Sequence, residues 1–153
     1  MSIWWLRRRP IGRLYILRVL RRSGISPSDL LSVYYSLGRS ILEYACSVWH
    51  TSLPNYLCNR IEQVQKRALR IIYPGLHYVD VLEIAHCPRL DVRRQEICLQ
   101  TFKKICDPGC RLHHLIPPIR SNAHGRTLRN NNCVSLPNCR TDRLKQSFVP
   151  TML

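Results

Sequence analysis

The carboxylates are the first side chains to test for catalysis, because metal-dependent nucleotidyl transfer needs at least two of them converging on Mg²⁺. The chain has nine Asp and Glu residues, and no two of them are adjacent. We expect most of them at helix caps or on exposed helix faces, as for Asp29, Glu43, Glu62, Asp91 and Glu96. The pattern predicts neither a polymerase nor a nuclease centre, so we expect no catalytic residue, no cofactor and no enzymatic activity.

The densest cluster of metal-binding residue types has the spacing C-x₃-C-x₂-H-H and comprises Cys106, Cys110, His113 and His114. Zinc takes a tetrahedral set of thiolate and imidazole ligands. The cluster lacks a second pair at a standard distance, although Cys133 and Cys139 lie further along the chain. We therefore expect no bound metal, and a small zinc module in the C-terminal tail stays open as an alternative.

Basic residues are the strongest signal in the composition. Lys and Arg number 24 against nine acidic residues, for a net charge of +15, and 20 of the 24 are Arg. The flat guanidinium fork fits phosphate, so this excess favours polyanion partners, nucleic acid first. Residues 1–22 carry a net +7, residues 23–110 only +2, and residues 111–153 +6. The charge alone is also compatible with a basic surface that serves only solubility.

The apolar spacing predicts the helices that would position these charges. A first helix covers 11–22, and Gly24 can take a left-handed C-cap conformation. The next helix begins with Ser26 as N-cap, Pro27 as first residue and Asp29 as the acidic partner at N3. Its apolar residues are spaced 4, 3, 4, 3, 4 and should share one buried face: Leu30, Tyr34, Leu37, Ile41, Tyr44 and Val48.

A third helix is predicted over 55–72. Its apolar stripe comprises Leu57, Ile61, Val64, Ala68 and Ile71. A second stripe begins one position earlier, with Lys66 beside it, and comprises Arg60, Gln63, Arg67 and Arg70. A helix that packs on one flank and presents guanidinium groups on the next can follow a phosphate backbone. The alternative is a solvated basic face on a core helix.

Two more helices complete the predicted body, over 79–86 and 92–106, the second capped by Asp91. Along the last helix we expect an inward set of Cys98, Leu99, Phe102 and Ile105, and an outward set of Arg93, Arg94, Lys103 and Lys104. No segment alternates like a strand. The prediction is an all-α bundle of about four to five helices over 11–106, with an unmatched basic segment over 1–10 and an irregular basic C-terminal tail over 107–153.

Segments along residues 13–150 share a pattern, in order, with one known protein family. They are L-Y-I-L-R-V-L-R-R-S-G at 14–24, R-S-I-L-E-Y-A-C-S-V-W-H at 39–50, I-E-Q-V-Q-K-R-A-L-R-I-I at 61–72, the run 91–105, and L-P-N-C-R-T-D-R-L-K-Q-S-F-V-P at 136–150. Together they resemble the region that follows the polymerase palm in reverse transcriptases of non-LTR (LINE-type) retrotransposons, especially the jockey and CR1-like groups. Ser40 stands where that family has Pro, and residues 1–10 match nothing in it.

The resemblance implies a catalytically incomplete C-terminal fragment of a non-LTR RNA-directed DNA polymerase, namely its thumb-side and downstream helical region. The family's aromatic-Ala-Asp-Asp metal motif lies upstream of this region and is absent, as are the fingers, the palm and the endonuclease domain. In the family the thumb grips the template–primer duplex behind the active site.

We therefore expect sequence-independent contact with the backbone of RNA or an RNA–DNA hybrid, aided by the basic ends, through Arg60, Lys66, Arg67, Arg70, Arg93, Arg94, Lys103 and Lys104. The alternatives are a helical module that binds the missing palm region or another protein, and a decayed transposon-derived fragment without nucleic-acid function. No stretch reaches the roughly 18 apolar residues of a membrane span, so we expect no membrane association. Without a secretory signal, we expect a nuclear or cytoplasmic protein with reduced thiols.

Overall fold

The structure is a computed structural model and describes residues 4–118 and 138–152. Within those ranges it contains helices and turns and no strand, so the all-α prediction is confirmed. Its elements are α1 (Trp4–Arg22), α2 (Pro27–Val33), a π-helix (Tyr34–Arg39), α3 (Ser40–Glu43), α4 (Cys46–Trp49), α5 (Asn55–Ile72), α6 (Tyr78–Ile84), α7 (Leu90–Cys106), a 3₁₀ turn (His113–Leu115), α8 (Asp142–Lys145) and α9 (Phe148–Met152). None of these described helices is long and apolar enough to cross a membrane.

The connection from α1 to α2 follows the predicted local rules. Helix α1 begins earlier than expected, at Trp4, and its end is followed by Gly24 with φ +79°, the left-handed conformation that suits glycine. The Ser26 Oγ accepts a hydrogen bond from the Asp29 N–H at 3.3 Å and also donates to the Asp29 carboxylate at 2.7 Å. Ser26 is therefore the N-cap and Pro27 the first helical residue, as predicted.

The single long helix predicted after Pro27 is wrong. Helix α2 passes into a π-helix at Tyr34, and the helical path breaks at Ala45, whose φ is +49°. A π-helical turn holds an extra residue and moves every later side chain around the axis. Leu30 and Tyr34 are buried as expected, but burial then shifts by one position to Leu42. Of the later predicted stripe residues, Ile41 is half-buried, and three are exposed: Leu37 by 37%, Tyr44 by 76% and, beyond the break at Ala45, Val48 by 74%.

Gly38 permits this packing inside the π-helix. A Cβ added at Gly38 would lie 2.9 Å from Cδ2 of the Tyr34 ring, closer than carbon atoms pack. The missing side chain lets the buried Tyr34 ring lie across the following turn. This close approach is therefore made within one helix.

Helix α5 forms the centre of the first of two compact units, which comprises the residues up to Cys46 and Leu53–Gln95. Its bounds are those predicted, because Pro54 and Pro74 flank an uninterrupted amphipathic run. Helices α1, α2 and α6 pack against it. The shared core consists of Leu14, Leu17, Leu30, Tyr34, Ala68, Leu69, Ile72 and Val81.

The second unit comprises Ser47–Ser52 and the residues from Glu96 onward. In its part of α7, Cys98 and Ile105 are buried and Phe102 is half-buried, as predicted. Leu99 is 46% exposed, because it lies about 100° around the helix from Cys98. The far end of the predicted tail carries the short helices α8 and α9, and the Phe148 ring packs edge-on against Phe102 with centroids 6.3 Å apart. Residues 1–3, and the part of the tail over 119–137 with Cys133, lie outside the described residues.

Candidate nucleic-acid interface

The outward face of α5 carries three exposed arginines, Arg60, Arg67 and Arg70, which we call the arginine ridge. They lie on one side because their spacing of seven and three residues keeps them within about 80° around the helix axis. Exposed Gln63 lies between them. At about 1.5 Å rise per residue, the ridge is roughly 15 Å long from Arg60 to Arg70. The structure therefore brings together three of the predicted site residues on one surface.

The guanidinium groups of the ridge make no ion pair within the part of the chain that the structure describes. The paired arginines of the first unit lie elsewhere, at Arg39, Arg89 and Arg93. An exposed cation without an acidic neighbour keeps its full charge available to a polyanion. The ridge is thus an uncompensated line of positive charge.

A buried polar network fixes the opposite face of α5. Glu62 Oε1 accepts a hydrogen bond of 2.5 Å from the Tyr78 hydroxyl, and its Oε2 accepts one of 3.1 Å from the Leu90 N–H. Gln65 accepts a bond of 2.9 Å from the Tyr34 hydroxyl and donates to the Tyr78 oxygen and the Pro88 carbonyl, both at 3.1 Å. This network ties α5 to the π-helix, to the first residue of α6 and to the beginning of α7, and thereby sets the direction in which the ridge points.

The network corrects the expected place of Glu62, which is 5% exposed and not on a solvated face. A buried carboxylate is tolerated when donors satisfy it, and here two donors do so. Burial, together with the hydrogen bond to Glu62, raises the pKa of Tyr78 well above its usual value. Burial likewise raises the pKa of Tyr34. Both hydroxyls therefore stay protonated and donate throughout the physiological pH range.

Next to the ridge, a groove of about 390 Å³ opens between the last turns of α5 and the beginning of α6. Three cationic side chains line this basic groove, namely Lys66, Arg70 and Arg89. His77 and Tyr78 line it as well, and the Lys66 ammonium lies 5.0 Å from the centroid of the Tyr78 ring. Lys66 is half-buried and lines the groove, so it does not belong to the exposed ridge. Arg70 lines the groove as well and is exposed.

Arg89 and His77 are residues that the sequence reasoning missed. Arg89 forms a two-pronged ion pair with Asp91, with Nη2–Oδ2 at 2.9 Å and Nε–Oδ1 at 3.1 Å. Although burial acts in the other direction, the Val92 N–H and the Arg89 guanidinium lower the pKa of Asp91. Helical periodicity does not identify either residue, because both lie in loops directly before a helix. The only sequence signal is their position shortly after a turn or helix-breaking proline, Pro74-Gly75 for His77 and Pro88 for Arg89.

Arg93 and Arg94 fit the predicted role less well than the ridge. Arg93 is half-buried, and its Nε lies 3.9 Å from Glu43 Oε1, which also pairs with Arg39 at 2.5 Å. Arg94 is fully buried, so its predicted outward orientation is wrong. The desolvation lowers its pKa. The sequence did contain the signal, because Arg94 is spaced four residues from Leu90 and from Cys98, both of which are buried.

Lys103 and Lys104 are exposed and belong to the part of α7 in the second unit.

Two arginines of α1 donate hydrogen bonds to backbone carbonyls of other segments. The Arg13 Nη1 donates to the Leu37 carbonyl at 2.6 Å, and the Arg21 guanidinium donates to the Ile71 carbonyl in the last turn of α5. A cation at a helix C-terminus satisfies an orphan carbonyl and the negative end of the dipole.

The cysteine and histidine cluster shows local contacts. The His113 Nδ1 lies 3.1 Å from the Ile105 carbonyl, and the His114 Nδ1 lies 2.8 Å from the Arg111 carbonyl. Among the described residues, no three His, Cys, Asp or Glu side chains converge as metal ligands do. The seven cysteines that the structure describes are free thiols.

Comparison with known proteins returned no match to a protein-family model, to a curated protein or to a solved structure.

Proposed function

We propose that this chain binds RNA or an RNA–DNA hybrid through the sugar–phosphate backbone, without reading the sequence, and that the arginine ridge of α5 makes the central contacts. The uncompensated ridge is the observation that supports the proposal most directly. Arg60, Arg67 and Arg70 form the core of the interface, and Lys66 contacts the strand from the groove beside it. Arg94 does not contribute to this interface, because it is buried.

The dimensions of the ridge suit a nucleic-acid strand. Phosphates repeat about every 3.4 Å along the axis of one strand of a DNA duplex and more closely in A-form RNA, so a ridge of roughly 15 Å spans at least four of them. Guanidinium forks donate paired hydrogen bonds to phosphate oxygens. Contacts of this kind position the partner and carry no base information, which matches the sequence-independent binding expected.

We also propose an origin for the chain, on the resemblance described above. It is the thumb-side and downstream region of a non-LTR RNA-directed DNA polymerase, without polymerase or endonuclease activity of its own, acting in the nucleus or cytoplasm. Incorporation of nucleotides by the purified chain on a primed RNA template would contradict the second half of this proposal. A coding region for a palm with paired aspartates, directly upstream in the same genome, would support the first half.

Charge reversal tests the proposed interface. The variant Arg67→Glu, Arg70→Glu places two carboxylates on the exposed ridge, and its folding is checked by circular dichroism. Binding of a labelled RNA should be lost at low salt, because attraction at the centre of the interface becomes repulsion. A matched variant, Gln63→Ala, changes an exposed residue of the same face without changing its charge, and it should bind as the original chain does. Unchanged RNA binding by the charge-reversed variant would refute the interface.

A second candidate function is protein binding, and the outer face of α1 favours it. Leu14 and Leu17 face the core, yet Tyr15 is 65% exposed, Ile16 40% and Val19 39%. Exposed apolar groups that adjoin on one face mark docking surfaces more often than ordinary surface. This second function replaces the first if two results are found together. RNA does not bind to the chain at low salt, and the variant Tyr15→Ser, Val19→Ser abolishes a complex with the palm region or another protein.

A further inference from the structure

The basic groove differs in chemistry from the ridge that leads to it. Among its lining residues, the apolar Leu69, Val81 and Leu82 are buried or half-buried and form an inner wall, whereas the cations Arg70 and Arg89 are exposed and Lys66 is half-buried. Two further apolar side chains at the groove are solvent-exposed, Leu76 by 48% and Val79 by 53%. Backbone contacts alone require no such wall. An apolar surface rimmed by cations suits a ligand that joins a flat, weakly polar body to a phosphate.

The size of the groove limits that ligand. Its volume of about 390 Å³ lies near the lower end of the range for small-molecule sites, which is roughly 300–1,000 Å³. One nucleotide fits this size, whereas a stacked base pair with its two backbones does not. A protein side chain of an acidic peptide would fill less of the apolar wall.

Two of the three cationic side chains of the groove, Lys66 and Arg70, remain available to an anion, whereas Arg89 is paired with Asp91. The Glu62 carboxylate points inward to Tyr78 and Leu90, and Asp91 is engaged by Arg89. Within the described residues, Lys66 and Arg70 form no ion pair, and the Lys66 ammonium lies over the Tyr78 ring. Arg70 belongs to the ridge and also to the groove. The positively charged surface is therefore continuous, and a strand that lies along the ridge can extend into the groove.

We infer that the basic groove holds one unstacked nucleotide of a single-stranded RNA or DNA segment, with its base against Leu76 and Val79 and its phosphate between Lys66 and Arg70. This inference rests on the proposed function and narrows it: the ridge serves single strands and duplexes alike, whereas the groove serves only a strand whose base has left the stack. Bases buried in a duplex cannot enter, because their faces are covered by neighbouring pairs.

The experiment shortens the two exposed apolar side chains that the base would contact, without changing charge. The variant Leu76→Ala, Val79→Ala is compared with Ile84→Ala, which shortens an exposed apolar side chain of α6 that does not line the groove. Binding is measured by fluorescence anisotropy with an oligouridine strand of about ten nucleotides, within the site sizes known for single-strand binders. The same measurement is made with a blunt duplex of equal length.

The inference predicts that the double variant loses about fivefold in affinity for the single strand, the loss expected when roughly 40 Å² of apolar contact with the base is removed, and none for the duplex. A strand carrying 4-thiouridine should crosslink to peptide 76–82 in the original chain and not in the variant. Equal affinities of variant and original chain for the single strand would overturn the groove alone. An original chain that binds neither strand nor duplex at low salt would overturn the proposed function as well.

Discussion

Removing charge from the ridge should change how steeply RNA binding depends on salt, and the change can be worked out from the structure. In the variant Arg60→Gln, Arg67→Gln, two exposed guanidinium groups are replaced by shorter, neutral amides. Neither arginine has a side-chain hydrogen bond or ion pair among the described residues, so the fold should be unaffected. Arg70 is kept, so the basic groove is unchanged.

The magnitude follows from counterion release. Each phosphate contact with a single strand contributes about −0.7 to the slope of log K against log salt. Two lost contacts should therefore make the slope shallower by about 1.4, whatever the other cations contribute. Between roughly 50 and 200 mM salt, the original chain should lose about sevenfold more affinity than the variant loses.

The assay is fluorescence anisotropy with a labelled single strand, titrated at several salt concentrations. The variant Arg60→Lys, Arg67→Lys is the matched control, because it keeps both charges and should keep the slope. A glutamine variant with the slope of the original chain would refute the ridge as the phosphate-binding surface. A lysine variant as shallow as the glutamine variant would show that the charge itself is not what matters there.

Three further predictions concern the fold that holds the ridge. Gly38→Ala should lower the free energy of unfolding by about 1–3 kcal/mol, because its Cβ would press on a buried tyrosine ring. Gly12→Ala, in open space on α1, should raise the free energy of unfolding by about 0.5–1 kcal/mol. Urea denaturation measures both changes. Glu62→Ala should cost about 2 kcal/mol in the same assay, since two buried donors lose their acceptor, and an unchanged midpoint would contradict the network. Burial, and secondly a hydrogen bond with Cys87, raises the pKa of Tyr35 to about 12. The contribution of the protonated Tyr35 to the free energy of unfolding is therefore complete below pH 10 and is lost as the pH rises toward 12. The variant Tyr35→Phe should remove that part of the pH dependence of unfolding.

The helices and the ridge were predictable because their signals are local. The bounds of α5, the Ser26 cap and the glycine after α1 all depend on residues within a few positions of one another. An amphipathic stripe also predicts the exposed face of a helix, and Arg60, Arg67 and Arg70 are exposed on α5 as its periodicity predicts.

Periodicity failed where one helix was not a plain α-helix. The extra residue of the π-helical turn moved burial from the predicted Ile41 to Leu42 and exposed Tyr44. The spacing of apolar residues does not tell whether a helix tightens, kinks or widens. That choice depends on how the Tyr34 ring packs.

What the sequence determined by itself was the helical content, the main helix limits and the line of arginines on α5, because propensity, capping and spacing act over a few residues. Only the tertiary structure decided which charges are free. Glu62 is buried by partners 16 and 28 residues away, at Tyr78 and Leu90. Likewise, the basic groove exists only because folding brings Arg89 beside Lys66 and Arg70. Such contacts depend on distant segments meeting in space, and no local pattern records where they meet.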